Sequence, residues 1–172
     1  ALLLLSAIIS ETLLFKSPTC TAEDKQVAEA LATIAEVDLE QYGLDMLKAG
    51  TDIGDKTVAE LLGMDAKEFT MNGAKVEIAQ INVVDPSAVF EKQADYEAEI
   101  EKIVAEKGLD LYLLVVTNIL ESDSDALALG KAQDAVEEAF GVNLENNRAL
   151  LKGIVSRKKQ IVTKLEAVFQ KR

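Results

Sequence analysis

The sequence predicts an α/β fold built on a mixed β-sheet, and three stretches carry that prediction. EFTMNGAKVEIAQINVV, Glu68 to Val84, sets two strand-like segments around Asn72-Gly73, a dipeptide strongly favoured in two-residue type I′ hairpins. LDLYLLVVTNIL, Leu109 to Leu120, is a nearly continuous apolar run, the pattern of a strand buried on both faces. Between them Asp85-Pro86 stops one strand and opens a long helix, so a strand–helix–strand unit is expected behind a set of N-terminal helices.

Taken in order, Leu2 to Ile9 reads as a buried helix. Glu11 to Thr21 reads as a loop whose direction Pro18 fixes. Thr19 or Thr21 caps a helix over about Ala22 to Glu36. Its apolar positions Val27, Leu31 and Ile34 have helical spacing, and Glu23 and Asp24 lie in the first turn, where the helix dipole favours acids. Asp38 caps the next helix, Leu39 to Ala49, which ends at Gly50. A short helix covers about Lys56 to Leu62, and the hairpin follows. The long helix is expected over about Ser87 to Lys107, with Val89, Ile100, Ile103 and Val104 on its apolar face and Gly108 as its stop. SDSDALALG turns back into a strand paired with the apolar run. Lys131 to Phe140 is helical, Gly141 to Asn147 is a loop or short strand, and a helix capped by Ser156 closes the chain.

Composition narrows the function. The 172 residues suit one domain, or one large and one small lobe, and 49% of them are apolar, enough for a real core. Asp and Glu outnumber Lys and Arg 30 to 18, a net charge of −12. Nucleic-acid binding through a broad basic surface is thereby excluded, and any anion site must be local. A cytoplasmic location is expected. Cys20 is the only cysteine, so no intramolecular disulfide forms. There is no histidine, which removes the serine-type triad and the commonest transition-metal ligand together. ALLLLSAII at the start is too short to span a bilayer and lacks a basic segment before it, so no membrane partner is expected. A bare hydrophobic element at the first residue suggests a chain cut from a longer one.

Three places attract attention. In SRKKQ the cations Arg157, Lys158 and Lys159 crowd the first turn of a helix, where the dipole disfavours them. A bound phosphate would reverse that penalty, since backbone N–H groups, an arginine fork and a lysine all suit anions. A solvated basic turn is the competing reading. Glu11 stands where an apolar helix gives way to a loop. There it is either a ligand for a hard metal such as Mg²⁺ or Mn²⁺ or a partly exposed acid. Lys67, in MDAKEF, reads by itself as a solvent-facing lysine that protects a strand edge. The acids of ESDSD lack the spacing of an EF-hand, and those of YEAEIEKIVAEK read as a solvated helix face.

The segments LLSAIISETLLFKSPTCTAED, YGLDMLKAGTDIGDKT, LLGMDAKEF, VEIAQINVVD, LENNRALLKG and SRKKQIV together resemble the family II, manganese-dependent inorganic pyrophosphatases over essentially the whole chain. The resemblance implies the C-terminal, DHH-associated domain of such an enzyme. Residues 1–20 would be the end of the interdomain helix and a linker, and residues 21–172 the substrate-binding domain. The N-terminal DHH domain, which carries the histidines and aspartates of the metal centre, would be absent. By the same resemblance Lys67, Arg157 and Lys158 match phosphate-binding cations, and Glu11 stands where the family has a metal-ligating aspartate. The glutamate is one methylene longer than the residue it replaces. The implied cofactor is Mn²⁺, with Co²⁺ or Mg²⁺ as alternatives, held mostly by the absent domain. The implied partners are pyrophosphate or phosphate and the N-terminal domain of the same chain, in a full-length homodimer whose fragment is a monomer. Alone, the fragment would be inactive. The rival readings are a related DHH-family exopolyphosphatase and a non-catalytic acidic binding module.

Overall fold

The computed structural model describes residues 1–51, 53–54 and 56–172. The chain divides into two units, Ala1–Asp52 and Ile53–Arg172.

The first unit holds three helices, α1 (Leu2–Thr12), α2 (Ala22–Ala35) and α3 (Leu39–Gly50). The helix starts follow the expected chemistry. Thr21 and Asp24 form a capping box at α2, and the Asp38 carboxylate accepts from Gln41 N at 2.8 Å at α3. Burial departs from the expectation. α1 buries a single stripe, Leu5, Ile9 and Thr12, while Leu3 is 87% exposed. In α2 the buried residues are Ala28 and Ala32, and Val27 and Ile34 face outward. Small side chains set the close approach here. On α3, a Cβ at Gly43 would stand 2.4 Å from Leu14 Cδ1.

In the second unit, α4 (Val58–Met64) opens with a Thr57–Glu60 capping box. The predicted hairpin is formed by β1 (Ala66–Met71) and β2 (Ala74–Val83), with Met71 opposite Ala74 and positive φ at both Asn72 and Gly73. The chain then crosses over through α5 (Ser87–Phe90) and α6 (Gln93–Lys107). The single long helix expected there is broken at Glu91–Lys92, a pair with no sequence mark of a breaker. The buried strand appears as β3 (Leu111–Asn118), parallel to β2, and β4 (Asp123–Leu129) runs antiparallel to it. After α7 (Asp134–Phe140), a short strand the sequence reading omits, β5 (Arg148–Leu151), adds to β4. The sheet order is β1-β2-β3-β4-β5, mixed as predicted. A π-helical segment, Arg157–Val162, leads into α8 (Thr163–Phe169).

The pleat sorts the two faces. Val76 and Ile78 of β2 and Leu111, Leu113 and Val115 of β3 pack under α7, the π-helical segment and α8. Ala79, Ile81, Tyr112, Leu114 and Val116 face the opposite way, against Leu62 of α4, Val89 of α5 and Ile100 of α6. No helix of the described residues is long and apolar enough to cross a membrane.

Asp110, just before β3, ties two connections together. It accepts from Lys75 N at 2.7 Å and pairs with Lys131 Nζ at 2.6 Å. The Lys131 ammonium, then the Lys75 N–H, hold its carboxyl below the ordinary value of 3.8. A carboxyl depressed in the folded state stabilises the fold above its unfolded pKa and loses that contribution as pH falls through the folded value. Wild type is therefore expected to lose stability on acidification below about pH 4. Asp110→Asn should lose less over the same interval, measured by urea denaturation across the acid range.

Candidate functional site

The SRKKQ turn is set by a chain of buried polar groups at the end of the sheet. Gln80 Nε2 donates to Thr117 Oγ1 at 2.9 Å and to Val155 O at 3.0 Å. Thr117 and Ser124 hydroxyls meet at 2.8 Å, and Ser124 Oγ donates to Ile154 O at 2.6 Å. The donors therefore run one way, from Gln80 through Thr117 and Ser124 to the Ile154 carbonyl, with each hydroxyl accepting one bond and giving the next. Thr117 and Ser124 are fully buried, so the loop that carries Val155 has one seat on the sheet. Ser124→Ala would leave the Ile154 carbonyl without this donor and the Thr117 hydroxyl proton without its acceptor. It is expected to cost about 1–3 kcal/mol in a denaturant titration.

The turn then braces itself. Gln160 Oε1 accepts from Val155 N and Ser156 N, both at 2.9 Å, and its Nε2 donates to Gly153 O at 2.8 Å. Ser156 is the N-cap, as the sequence predicts, and its hydroxyl accepts from Lys159 N at 3.3 Å. The first turn departs from an α-helix, because Ile161 N reaches back five residues to Ser156 O at 3.2 Å.

Arg157 leaves this turn for the start of the hairpin. Its Nη1 donates to Asp65 O at 2.7 Å and to Ile78 O at 3.2 Å, and its Nη2 donates to Asp65 Oδ1 at 2.6 Å. The side chain is only 10% exposed. An anionic neighbour 92 residues away in the chain thus offsets a cation placed against its own helix dipole.

Lys67 arrives at the same place by strand geometry. It stands opposite Ile78 in the antiparallel ladder, so the two side chains share a face. That is the face covered by Ile161, Val162 and Leu165. Lys67 lies at the open end of β1, beyond the apolar cluster, and is exposed. Lys158 is exposed beside Arg157. Neither ammonium makes a hydrogen bond or ion pair among the described residues. Arg157 therefore reaches the start of β1 midway along β2, at the carbonyl of the residue that Lys67 faces across the ladder, with Lys158 next to it in the chain. Asp65 is the acid among them that the sequence reading overlooked. Its place two residues before Lys67 in MDAKEF was the available signal.

Glu11 belongs to the first unit. It lies within α1 and not in a loop, because the helix runs on to Thr12. Thr12 Oγ1 donates to Ile8 O at 2.7 Å and accepts from Phe15 N at 3.2 Å, closing the helix into a left-handed turn over Leu13, Leu14 and Phe15. The Glu11 carboxylate is exposed and has no hydrogen bond among the described residues. It sits in the last helical turn, where backbone carbonyls favour a cation. One such oxygen donor suits a hard metal but does not make a centre, and no three His, Cys, Asp or Glu side chains converge on a point among the described residues.

Comparison with known proteins bears on this arrangement. The chain is 64% identical over 160 residues to a manganese-dependent inorganic pyrophosphatase of Bacillus subtilis (strain 168), an alignment covering 93% of this chain and 52% of the relative. It is 60% identical over 169 residues to a "probable manganese-dependent inorganic pyrophosphatase" of Listeria innocua, covering 98% and 54%. A crystal structure titled "Methanococcus jannaschii putative family II inorganic pyrophosphatase" superposes with a TM-score of 0.87 at 42% identity, over 96% of this chain and 54% of that one. The chain thus spans about half the length of the curated relatives it matches. The family model of the DHHA2 domain matches residues 44–168, from α3 through α8. The chain belongs to the DHHA2 domain family.

Proposed function

We propose that this chain is the substrate-binding domain of a metal-dependent inorganic pyrophosphatase, the C-terminal part of a longer protein that hydrolyses pyrophosphate to two phosphates. The observation that carries this reading is Arg157, a guanidinium nine-tenths buried against Asp65 and Ile78, with exposed Lys67 opposite Ile78 in the ladder and exposed Lys158 next to Arg157 in the chain. Pyrophosphate bears up to four negative charges. A unit charge pair about 4 Å apart in surroundings of effective dielectric near 20 is worth roughly 4 kcal/mol before desolvation. Arg157 fixes one phosphate through a rigid planar fork, and the two lysines follow its charge as mobile point charges. Together they neutralise the phosphoryl oxygens and stabilise the charge that builds on the departing phosphate.

Manganese is the proposed cofactor of the longer protein. Glu11 would give it one oxygen ligand, with the other ligands coming from a DHH domain. When bound, such a metal supplies an activated water and neutralises phosphate charge. The names of the relatives support this choice of metal and substrate.

Calorimetric titration of inorganic pyrophosphate into the chain tests the reading. Binding that added salt weakens, and that Arg157→Ala weakens at least about tenfold, is expected. Equal affinity in the variant would remove Arg157 from the site. Tighter binding of long-chain polyphosphate than of pyrophosphate would favour an exopolyphosphatase.

A further inference from the structure

We infer that Asp65 is a positioning residue that grips the end of the Arg157 guanidinium and leaves its Nε edge for the anion; this rests on the phosphate-binding role of Arg157 proposed above. A guanidinium carries five N–H groups in a fixed plane. Both on Nη1 are used, by the carbonyls of Asp65 and Ile78, and Nη2 gives one to Asp65 Oδ1. One residue thus holds both terminal nitrogens, one through its backbone oxygen and the other through its carboxylate. The N–H groups left are the one on Nε and the second on Nη2. Nε makes no hydrogen bond among the described residues and is not among their buried unpartnered atoms, so it faces solvent where an anion can reach it. Two neighbouring N–H groups of this kind form a fork that matches two oxygens of a phosphate.

The backbone fixes where Asp65 stands. It is the C-cap of α4, and its carbonyl also accepts from Gln80 N at 3.0 Å, continuing the β1–β2 ladder. Its carboxylate is half exposed, and the Arg157 guanidinium is its only hydrogen-bonding partner among the described residues. The carboxylate is thus free of any second structural duty. Its contact fixes the rotation of the guanidinium, which the two carbonyl bonds, both on Nη1, leave less constrained. An arginine held this way loses less side-chain entropy when the phosphate arrives.

Two readouts test the inference. The first is the Arg157 Nε–Hε signal in nuclear magnetic resonance spectra of the ligand-free chain. A resolved signal is expected in wild type and in Asp65→Asn, which keeps an oxygen acceptor. In Asp65→Ala it should collapse to the position of exposed arginines, with an unchanged thermal midpoint. The second is affinity for inorganic pyrophosphate. It should fall about tenfold in Asp65→Ala and stay within about threefold of wild type in Asp65→Asn. Unchanged or tighter binding by Asp65→Ala would overturn the inference, because the carboxylate would then be competing with the anion. So would an Arg157 signal that Asp65→Ala leaves in place. If wild type binds no pyrophosphate, the phosphate reading and the purpose of the free edge both fail, while the ligand-free spectra still judge the grip itself.

Discussion

Replacing Arg157 by alanine is expected to lower pyrophosphate turnover of the proposed full-length, manganese-loaded protein by about 10²-fold or more. The guanidinium is the most deeply held cation of the Lys67–Arg157–Lys158 group, and its orientation is set before any substrate binds. Its loss removes a pre-oriented donor pair from the place where phosphate charge develops, and neither lysine offers a planar fork in exchange. The fold should survive the change. The Asp65 carbonyl keeps its bond from Gln80 N, and the Asp65 carboxylate is exposed enough to be solvated. A turnover loss below about threefold, in a variant that unfolds at the wild-type temperature, would contradict the catalytic role of this contact.

The largest stability effect is expected at Gly130, where β4 turns into α7. Its φ is +116°, and a Cβ there would stand 2.5 Å from Asp110 O and 3.0 Å from Asp110 C. Both neighbours are backbone atoms, and Asp110 O already accepts from Ala132 N at 2.9 Å. An alanine therefore meets an unfavourable backbone conformation and an obstacle that no rotamer change relieves. Gly130→Ala should cost about 3 kcal/mol or more. Gly141 provides the contrast. It caps α7 with φ +65°, and nothing lies within 4 Å of its Cβ direction. Gly141→Ala should cost only the left-handed penalty of about 1–2 kcal/mol. Denaturant midpoints of the two variants separate these cases, and equal losses would contradict the close approach to Asp110.

The mixed sheet was legible because its signals are local. Asn72-Gly73 specifies a two-residue turn by its own backbone preferences, and the run Leu111–Val116 can be buried only between two layers. Helix starts at Thr21, Asp38 and Ser156 were readable for the same reason, since a cap bonds three residues away. The RALL strand was missed because it is four residues long and follows Asn146 and Asn147, both with positive φ, which read as loop. The face of α2 was misjudged because large apolar residues were assumed to mark it, whereas Ala28 and Ala32 set the close packing.

The site divides along the same line. Ser156 and the three cations after it could be placed on a helix start from sequence alone. The partnership of Arg157 with Asp65 could not, because it depends on how the last turn of the chain lies across the first hairpin. Gln160 was visible in SRKKQ, but its role bracing Val155, Ser156 and Gly153 needs the π-helical turn to be known. The resemblance supplied Lys67, which residue type and spacing had left as an edge lysine. The pleat sets it on the same side of the sheet as Ile78, the residue whose carbonyl accepts from Arg157.

The most direct measurement is phosphate release from pyrophosphate by the proposed full-length protein with Mn²⁺, compared with a variant in which Lys67, Arg157 and Lys158 are all alanine. Rapid release in wild type, abolished by a chelator and reduced on the order of 10²-fold or more in the triple variant, is the predicted result. A folded, metal-loaded wild type that releases no phosphate, or a triple variant within about threefold of it, would contradict the account.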